Sequence, residues 1–365
     1  MISRSLRTLH VFRAALFAFV LAALVLALVA VAETLFFHLF YRPPLVRMGL
    51  TWSFLHYLPR NGMLRAAGST GHPIALGYVM IMAIGFFVFI KHYIASPRLR
   101  FFGMALLLAG FVAPFSRGPW IGGVVFLVVF ILTGAEPFKR LAKVLIAALM
   151  AIPLLTVLPG GHAVIDLLPF IGTTEEVNVL HRENLIDAAY IVVMRNPLFG
   201  AVNYGAYPEI QALLLGGIID IVNTYVLLAL EIGLVGMGLF VGVFVLLLLN
   251  VYQGMQRLPA SAGEERLLGR VLLAALLTTM VIIVTTSSIT VIPVVYWSLA
   301  GMGLAYSFAA QRWATEPEAE TASEVELSGQ PWQATLPSSP SLAYTNTHAP
   351  RMLGALSAMR HAQRE

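Results

Sequence analysis

The stretch Ser116-Arg117-Gly118-Pro119-Trp120 sets an arginine on a very short turn between two apolar runs. A guanidinium is always charged and grips phosphate or carboxylate through two parallel hydrogen bonds. Pro119 suits the first turn of a helix, where its missing N–H costs nothing. Exposed amides and the helix dipole at such a start favour an anion. An arginine held there opposes the dipole unless an anion lies between them, so Arg117, beside Ser116, is a candidate anion-binding residue. Arg65-Ala-Ala-Gly68-Ser69-Thr70-Gly71-His72-Pro73 repeats the theme. It reads either as a plain loop and helix cap, or as an anion cradle with Arg65 and His72 at its mouth.

A third place is the segment Gly160–Val222, about 60 residues and rich in charge, with His181, Arg182, Glu183, Asp187, Arg195, Glu209 and Asp220. Apolar residues near helical spacing predict a helix over Asn178–Met194. Asn196-Pro197 ends it and Leu198-Phe199-Gly200 makes a turn. Most of these charges read as a solvated face. Next comes Asp220-Ile-Val-Asn223-Thr224-Tyr225, leading into a long apolar run that contains Glu231. If helical, positions 220 and 223 or 224 share a face, and Glu231 lies near that face roughly 16 Å further along, at about 1.5 Å per residue. A carboxylate at that depth in a membrane faces a partner or a cavity. It serves either as a structural pair or as a functional group.

The elements that position these residues follow from composition. Hydrophobic residues make up 59% of the 365-residue chain and charged residues 11%, against about 45–50% and about 25% in soluble domains. That excludes an ordinary water-soluble, nucleic-acid-binding or disordered protein. The absence of cysteine excludes disulfides, thiolate metal sites and cysteine nucleophiles. Eight stretches approach the roughly 20 apolar residues of a membrane-spanning helix: Ala14–Ala32, Ile74–Ile90, Phe101–Phe115, Pro119–Ala135, Val144–Pro159, Tyr225–Tyr252, Val271–Ser287 and Ile289–Ala310. The expected fold is all-α, a polytopic bundle of about eight spans, spanning 14–310, with one larger outer loop, 160–222. A cleaved signal peptide is the alternative reading of the first span, since Ala30-Val31-Ala32 resembles a cleavage site.

Basic residues give the orientation. With the N-terminal segment 1–13 inside, 16 of the 23 Lys and Arg residues fall on the inner side and both termini are cytoplasmic. The seven on the outer side, Arg42, Arg47, Arg60, Arg65, Arg117, Arg182 and Arg195, are all arginine. The net charge of +5 is thus explained by topology, with no nucleic-acid partner. From 311 to 365 the chain turns to Ser, Thr, Pro, Ala and Glu, with Glu316, Glu318, Glu320, Glu324 and Glu326 clustered; this reads as a disordered cytoplasmic tail.

Four features, in this order, resemble the O-antigen ligase and polymerase (Wzy/WaaL-like) family of bacterial membrane glycosyltransferases. They are Arg65 with Gly71-His72-Pro73 and Gly77; Ser116 to Trp120; Arg182 with Arg195-Asn196-Pro197-Leu198-Phe199-Gly200; and Asn223-Thr224-Tyr225 with Glu231-Ile232-Gly233. The resemblance covers about residues 60–310. It implies a GT-C-like fold in the bacterial inner membrane with a periplasmic site. It further implies transfer of glycan from an undecaprenyl-diphosphate carrier to a sugar acceptor, in O-antigen or exopolysaccharide assembly. Many members carry His directly before the Asn of the last feature; Val222 stands there in this chain, which favours polymerase over ligase to the lipid A core. Such proteins also often have more spans than eight.

The expected chemistry needs positive charge for the departing lipid diphosphate. No Asp-x-Asp pair, phosphate loop or metal-spaced His cluster stands in the sequence, so no metal or cofactor is expected and arginine supplies the charge. Arg117 and Arg195 come first, Arg65 and Arg182 next. A base takes the acceptor hydroxyl's proton: Asp220 is preferred, His181 the reserve. Asn223 and Tyr225 orient the sugar. The rival readings are a transporter of the same lipid-linked sugars, which predicts broken helices and midplane charge, and a non-catalytic partner of other polysaccharide-assembly proteins.

Overall fold

The structure, a computed structural model, describes residues 8–42, 59–60, 62–157, 176–213, 221–259, 261–289 and 291–315, with backbone alone for 59–60, 151–157, 176–182 and 315. The tail beyond 315 that was expected to be disordered lies outside the described residues. So do Asp220 and the first part of the expected outer loop.

These residues are mostly helical, with almost no strand. In chain order the helices are α1 (Leu9–Phe36), α2 (Pro73–Ile90), α3 (Pro97–Val112), α4 (Arg117–Leu132), α5 (Pro137–Val157), α6 (Glu176–Arg195), the single turn α7 (Pro208–Gln211), α8 (Thr224–Arg257), α9 (Gly263–Ile282) and α10 (Ile292–Thr315). A two-residue antiparallel ribbon, Pro59–Arg60 with Met63–Leu64, precedes α2. Each of the eight apolar stretches falls on a helix. Four are long and apolar enough to cross a membrane: α1, α2 with the turn that follows it, α8 and α10; α4 is apolar but shorter.

α2 is apolar all round and buried on almost every side, from Pro73 to Ile90. A helix of that kind belongs at the centre of a bundle, and α1, α3, α4 and α9 surround it. α1 shows why it packs there. Phe12, Leu16, Val20, Ala23, Ala27 and Ala30 recur every three or four residues and form one buried stripe. The opposite face exposes Phe17, Leu21, Val25 and Leu28, as a lipid-facing surface requires. Small residues let the helices approach closely. A methyl placed on Gly110 would lie 2.6 Å from Ala27 Cβ, and one on Gly77 2.8 Å from Pro119 Cβ, the small-residue crossing usual between membrane helices. A second, smaller core joins Leu185, Ala189 and Val192 of α6 to Ile210 and to Ala229 and Leu230 of α8.

Direction alternates through the bundle. α1, α3 and α9 finish at the end of the bundle where α2, α4 and α8 begin, and contacts described below stitch these termini together. The N-termini of α2, α4 and α8 therefore gather at one end, with the start of α10 joined to them through Ser288.

α8 departs from a regular helix. Gly233 has φ 71° and ψ −177°, which breaks the element into Thr224–Ile232 and Leu234–Arg257. The second piece, about 24 residues, reaches about 36 Å, enough alone for a hydrocarbon core of about 30 Å. The helix starts at Thr224, with Ile221–Asn223 outside it. Asn223 therefore precedes the helix that carries Glu231, and Asp220 lies outside the described residues. Glu231 stands beside the break, exposed, at the end of the membrane-length piece.

Candidate functional site at the gathered helix starts

The site is built on a turn and a loop. Between α3 and α4 the chain turns in four buried residues, Ala113–Ser116. Phe115 takes φ 44°, rare for a side chain of its size. Opposite it, the segment ahead of α2 runs antiparallel: Ala66 N–H donates to Ala113 O at 3.2 Å. That pairing brings Arg65 across. Its Nε donates to Pro114 O at 3.1 Å and one terminal nitrogen donates to Ser116 Oγ at 2.8 Å. Ser116 is the N-cap residue of α4, yet its hydroxyl makes no capping bond and donates to Pro114 O at 3.2 Å. Arg65, Ser116 and, one residue on, Arg117 are thus brought together. Arg117 occupies the first position of α4, two residues earlier than the predicted start at Pro119. Pro119 remains within the first turn, where no intrahelical N–H is needed.

His72 caps α2. Its Nδ1 accepts from Ile74 N–H at 3.2 Å, and Pro73 follows at the first helical position as its φ preference predicts. Burial, and then the Arg65 guanidinium, push the imidazole down to about 4. Neutral His72 is therefore the capping form at pH 7. Thr70 holds the loop in shape by donating to Ala67 O at 2.6 Å.

One residue of this site stood outside every motif. Glu33, near the end of α1, is fully buried. Its Oε2 accepts from Ala67 N–H at 2.9 Å and Gly68 N–H at 2.8 Å, and its Oε1 from Phe40 N–H at 3.2 Å. It continues the buried stripe of α1. The signal was present: a single carboxylate ends a long apolar run, and such a group has a partner or a role by default.

α9 closes the other side. A methyl on Gly118 would overlap Thr285 Oγ1, so α4 starts directly against the segment after α9. Here the helix stops at Ile282, five residues short of the expected Ser287. The hydroxyl run Thr285–Ser288 makes tertiary bonds instead. Thr224 N–H donates to Ile283 O at 3.0 Å, Thr224 Oγ1 to Thr286 O at 2.8 Å, and Ser287 Oγ to Ile221 O at 2.7 Å. The start of α8 is thereby fixed. Asn223 caps it, Oδ1 accepting from Tyr225 N–H at 2.9 Å and Val226 N–H at 3.3 Å. Tyr225 donates its hydroxyl to Met280 O at 2.9 Å. Both side chains expected to orient a sugar thus carry structural bonds; the cap engages only Oδ1 of Asn223.

Arg195 stands in the second core's neighbourhood. Its guanidinium pairs with Glu209 through both terminal nitrogens and lies over the Tyr207 ring, 5.5 Å from the centroid. Asn196 Nδ2 donates to Tyr207 Oη at 3.1 Å. The Glu209 carboxyl is held below its ordinary value by its own backbone amide and then by Arg195. The turn Pro197–Ala201 fills the break in α8. Ala201 N–H donates to Leu230 O at 2.7 Å, Leu234 N–H to Pro197 O at 2.8 Å and Val235 N–H to Leu198 O at 3.3 Å. Backbone groups freed by the break are so satisfied, as a buried backbone requires. Tyr204 lies close enough that burial, and then the Glu231 carboxylate, raise its phenol above the ordinary value. His181 and Arg182 lie on α6, their side chains outside the described residues, as is Asp220 altogether. Among the described residues no group of three or more His, Asp or Glu gathers as a metal site would require.

No protein-family model matches the chain, and no curated protein matches its sequence.

Proposed function

We propose that the chain is a membrane glycosyltransferase of the O-antigen polymerase and ligase type, with polymerase the favoured activity. It moves a glycan from an undecaprenyl-diphosphate carrier to a sugar acceptor on the periplasmic side of a bacterial inner membrane. Eight crossings with cytoplasmic termini are part of this proposal. The observation that carries it is the Arg65–Ser116 hydrogen bond beside Arg117, where α2, α4 and α8 all begin. Two guanidiniums and three helix starts concentrate positive potential at one end of a lipid-embedded bundle. A lipid diphosphate has its charge at that level and its tail among helices.

In the proposed step the acceptor hydroxyl oxygen attacks the anomeric carbon of the donor sugar. The bond from that carbon to the diphosphate oxygen breaks, and the lipid diphosphate leaves with the electron pair. Arg117 and Arg65 stabilise its charge, with Arg195 and Arg182 next. Asp220, or His181 in reserve, accepts the hydroxyl proton. The anomeric centre inverts. Val222 in place of a His before Asn223 keeps polymerase ahead of ligase.

The break at Gly233 favours a second reading, a transporter of the same lipid-linked sugars, because transporters use discontinuous helices at their sites. Its freed amides and carbonyl, however, are occupied by Pro197–Ala201 of the chain itself. That ranks the transporter below the enzyme, and a non-catalytic assembly partner ranks beside it.

The test compares wild type with Arg117→Ala in the native host, with membrane levels checked. Surface polysaccharide length and lipid-linked intermediates are measured. Single repeat units accumulating on the carrier support the polymerase, and full-length chains accumulating there support the ligase. Unchanged glycans at normal protein level sink the enzyme reading.

A further inference from the structure

We infer that Glu33 is the positioning residue of the Arg65–His72 loop, acting through the geometry of its acceptor oxygens; this rests on the proposed transferase reading. Glu33 comes from the far end of a different helix, more than thirty positions before the loop it holds. Its Oε2 takes the consecutive amides of Ala67 and Gly68, the two that follow the Arg65-Ala66 pair aligned on Ala113 and Pro114. Oε1 takes Phe40 N–H, just past the end of α1. One carboxylate therefore fastens the loop to the bundle on one side, while Arg65 fastens it on the other.

The local backbone shows what the carboxylate imposes. Gly68 has φ 52°, and a methyl there would lie 2.6 Å from Leu26 Cδ1 of α1. The loop is thus seated directly on α1, with two successive N–H groups turned into the protein. At the buried Ala67 and Gly68 amides no water competes, and two donors left without an acceptor force the backbone to move. A shift of the Ala67-Gly68 peptide carries Arg65 away from Ser116 and His72 away from Ile74. Misplacement of a binding group by about 1 Å is enough to cost about 100-fold in rate.

Acting by geometry, Glu33 has a definite substitution pattern. Glu33→Gln keeps a carbonyl oxygen of the same reach, able to accept from both Ala67 and Gly68, and should retain most of the activity although the charge is gone. Glu33→Ala removes both acceptor oxygens and with them all three hydrogen bonds, and Glu33→Asp draws the carboxylate back by one methylene and should fall between.

The experiment uses the full-length protein in liposomes with a lipid-diphosphate-linked repeat unit as donor. Turnover and donor KM are measured for wild type, the three Glu33 variants and Arg117→Ala, with thermal midpoints in parallel. The expected result is a fall of about 100-fold in kcat/KM for Glu33→Ala, recovery in Glu33→Gln, and a thermal midpoint for Glu33→Gln close to wild type. Wild-type kinetics in Glu33→Ala would overturn the inference while leaving the transferase standing, provided Arg117→Ala is inactive. Equal loss in Glu33→Gln and Glu33→Ala, with both folded, would show that charge is what matters and overturns it too. An active Arg117→Ala would instead strike the transferase reading beneath it.

Discussion

Arg65 and Ser116 are 51 positions apart, yet the guanidinium of the first donates to the hydroxyl of the second at 2.8 Å. The same guanidinium reaches Pro114 O, so two helix-connecting segments are clasped by one side chain. Ser116 gives up the capping bond its position would normally make. A cap residue diverted in this way leaves the first amides of α4 without a side-chain partner from Ser116, beside Arg117. Arg65→Lys offers a single point charge for a two-pronged hold. Transfer should fall at least about tenfold, since losing one hydrogen bond to a charged group is worth about 1.5–3 kcal/mol. Ser116→Ala should cost less. Measuring chain-length distribution for both variants checks the order; a greater loss in Ser116→Ala would reverse it.

Glycine at 233 is required by backbone and by space together. Its φ of 71° lies in the left-handed region, and a methyl would overlap the Leu198 carbonyl. Gly233→Ala should lower the thermal midpoint in detergent, and the destabilisation should exceed the roughly 1–2 kcal/mol that the left-handed conformation alone costs an L-residue. It should also expose the 197–201 turn to protease, since the straightened helix no longer receives it. Unchanged proteolysis would mean that the turn docks independently of the break.

Hydropathy located α1 to α5 and α8 to α10, because lipid-facing and core-facing positions are both apolar and the run length is what matters, whereas α6 was legible only from the helical spacing of its apolar residues. Pro73 marked the start of α2 through its fixed φ. The failures share a cause. Periodicity carries no information about tertiary hydrogen bonds, so the predicted span ran through Thr285–Ser287, whose groups bond to Ile221 and Thr224 or lie against Gly118. It also ran through Gly233, where the docking turn Pro197–Ala201, far earlier in the chain, decides the break. Glu33 lies one residue past the first predicted span, Ala14–Ala32, where no motif marks it. Nor does local spacing reveal that Arg195 pairs with Glu209, which comes from the following turn of chain.

His72 gives the site a one-sided pH response. Its folded value near 4 lies below the ordinary 6.5, so the unfolded chain takes the proton first. The stabilisation it lends the loop is fully present above about 6.5 and is lost as the pH falls towards and through 4. Between pH 7 and 8 the residue should contribute no pH dependence. Below pH 5 the cap to Ile74 should weaken, because a protonated Nδ1 no longer accepts. His72→Asn preserves a capping acceptor and should flatten this acidic limb. Nuclear magnetic resonance of the labelled imidazole checks the titration directly, and a midpoint near 6.5 would refute it.

The Arg195–Glu209 pair separates two roles that look alike in a static arrangement. If Arg195 only fastens the Tyr207–Gln211 turn to α6, Arg195→Ala and Glu209→Gln remove the same contact and should behave alike. If Arg195 binds donor diphosphate, as proposed, Glu209 is a competitor for its fork and the two variants diverge. Glu209→Gln should then lower the donor KM, since the neutral amide holds the guanidinium less tightly than a carboxylate. Arg195→Ala should raise it. The pair is partly exposed, with 47% of the arginine side chain accessible, so solvent screening keeps its strength modest and displacement by a diphosphate feasible. The measurement is donor KM at two ionic strengths for both variants. Opposite shifts that shrink at high salt support the competition, because screening weakens both the pair and its rival. Parallel shifts assign Arg195 to the fold and leave Arg65 and Arg117 as the arginines of the site.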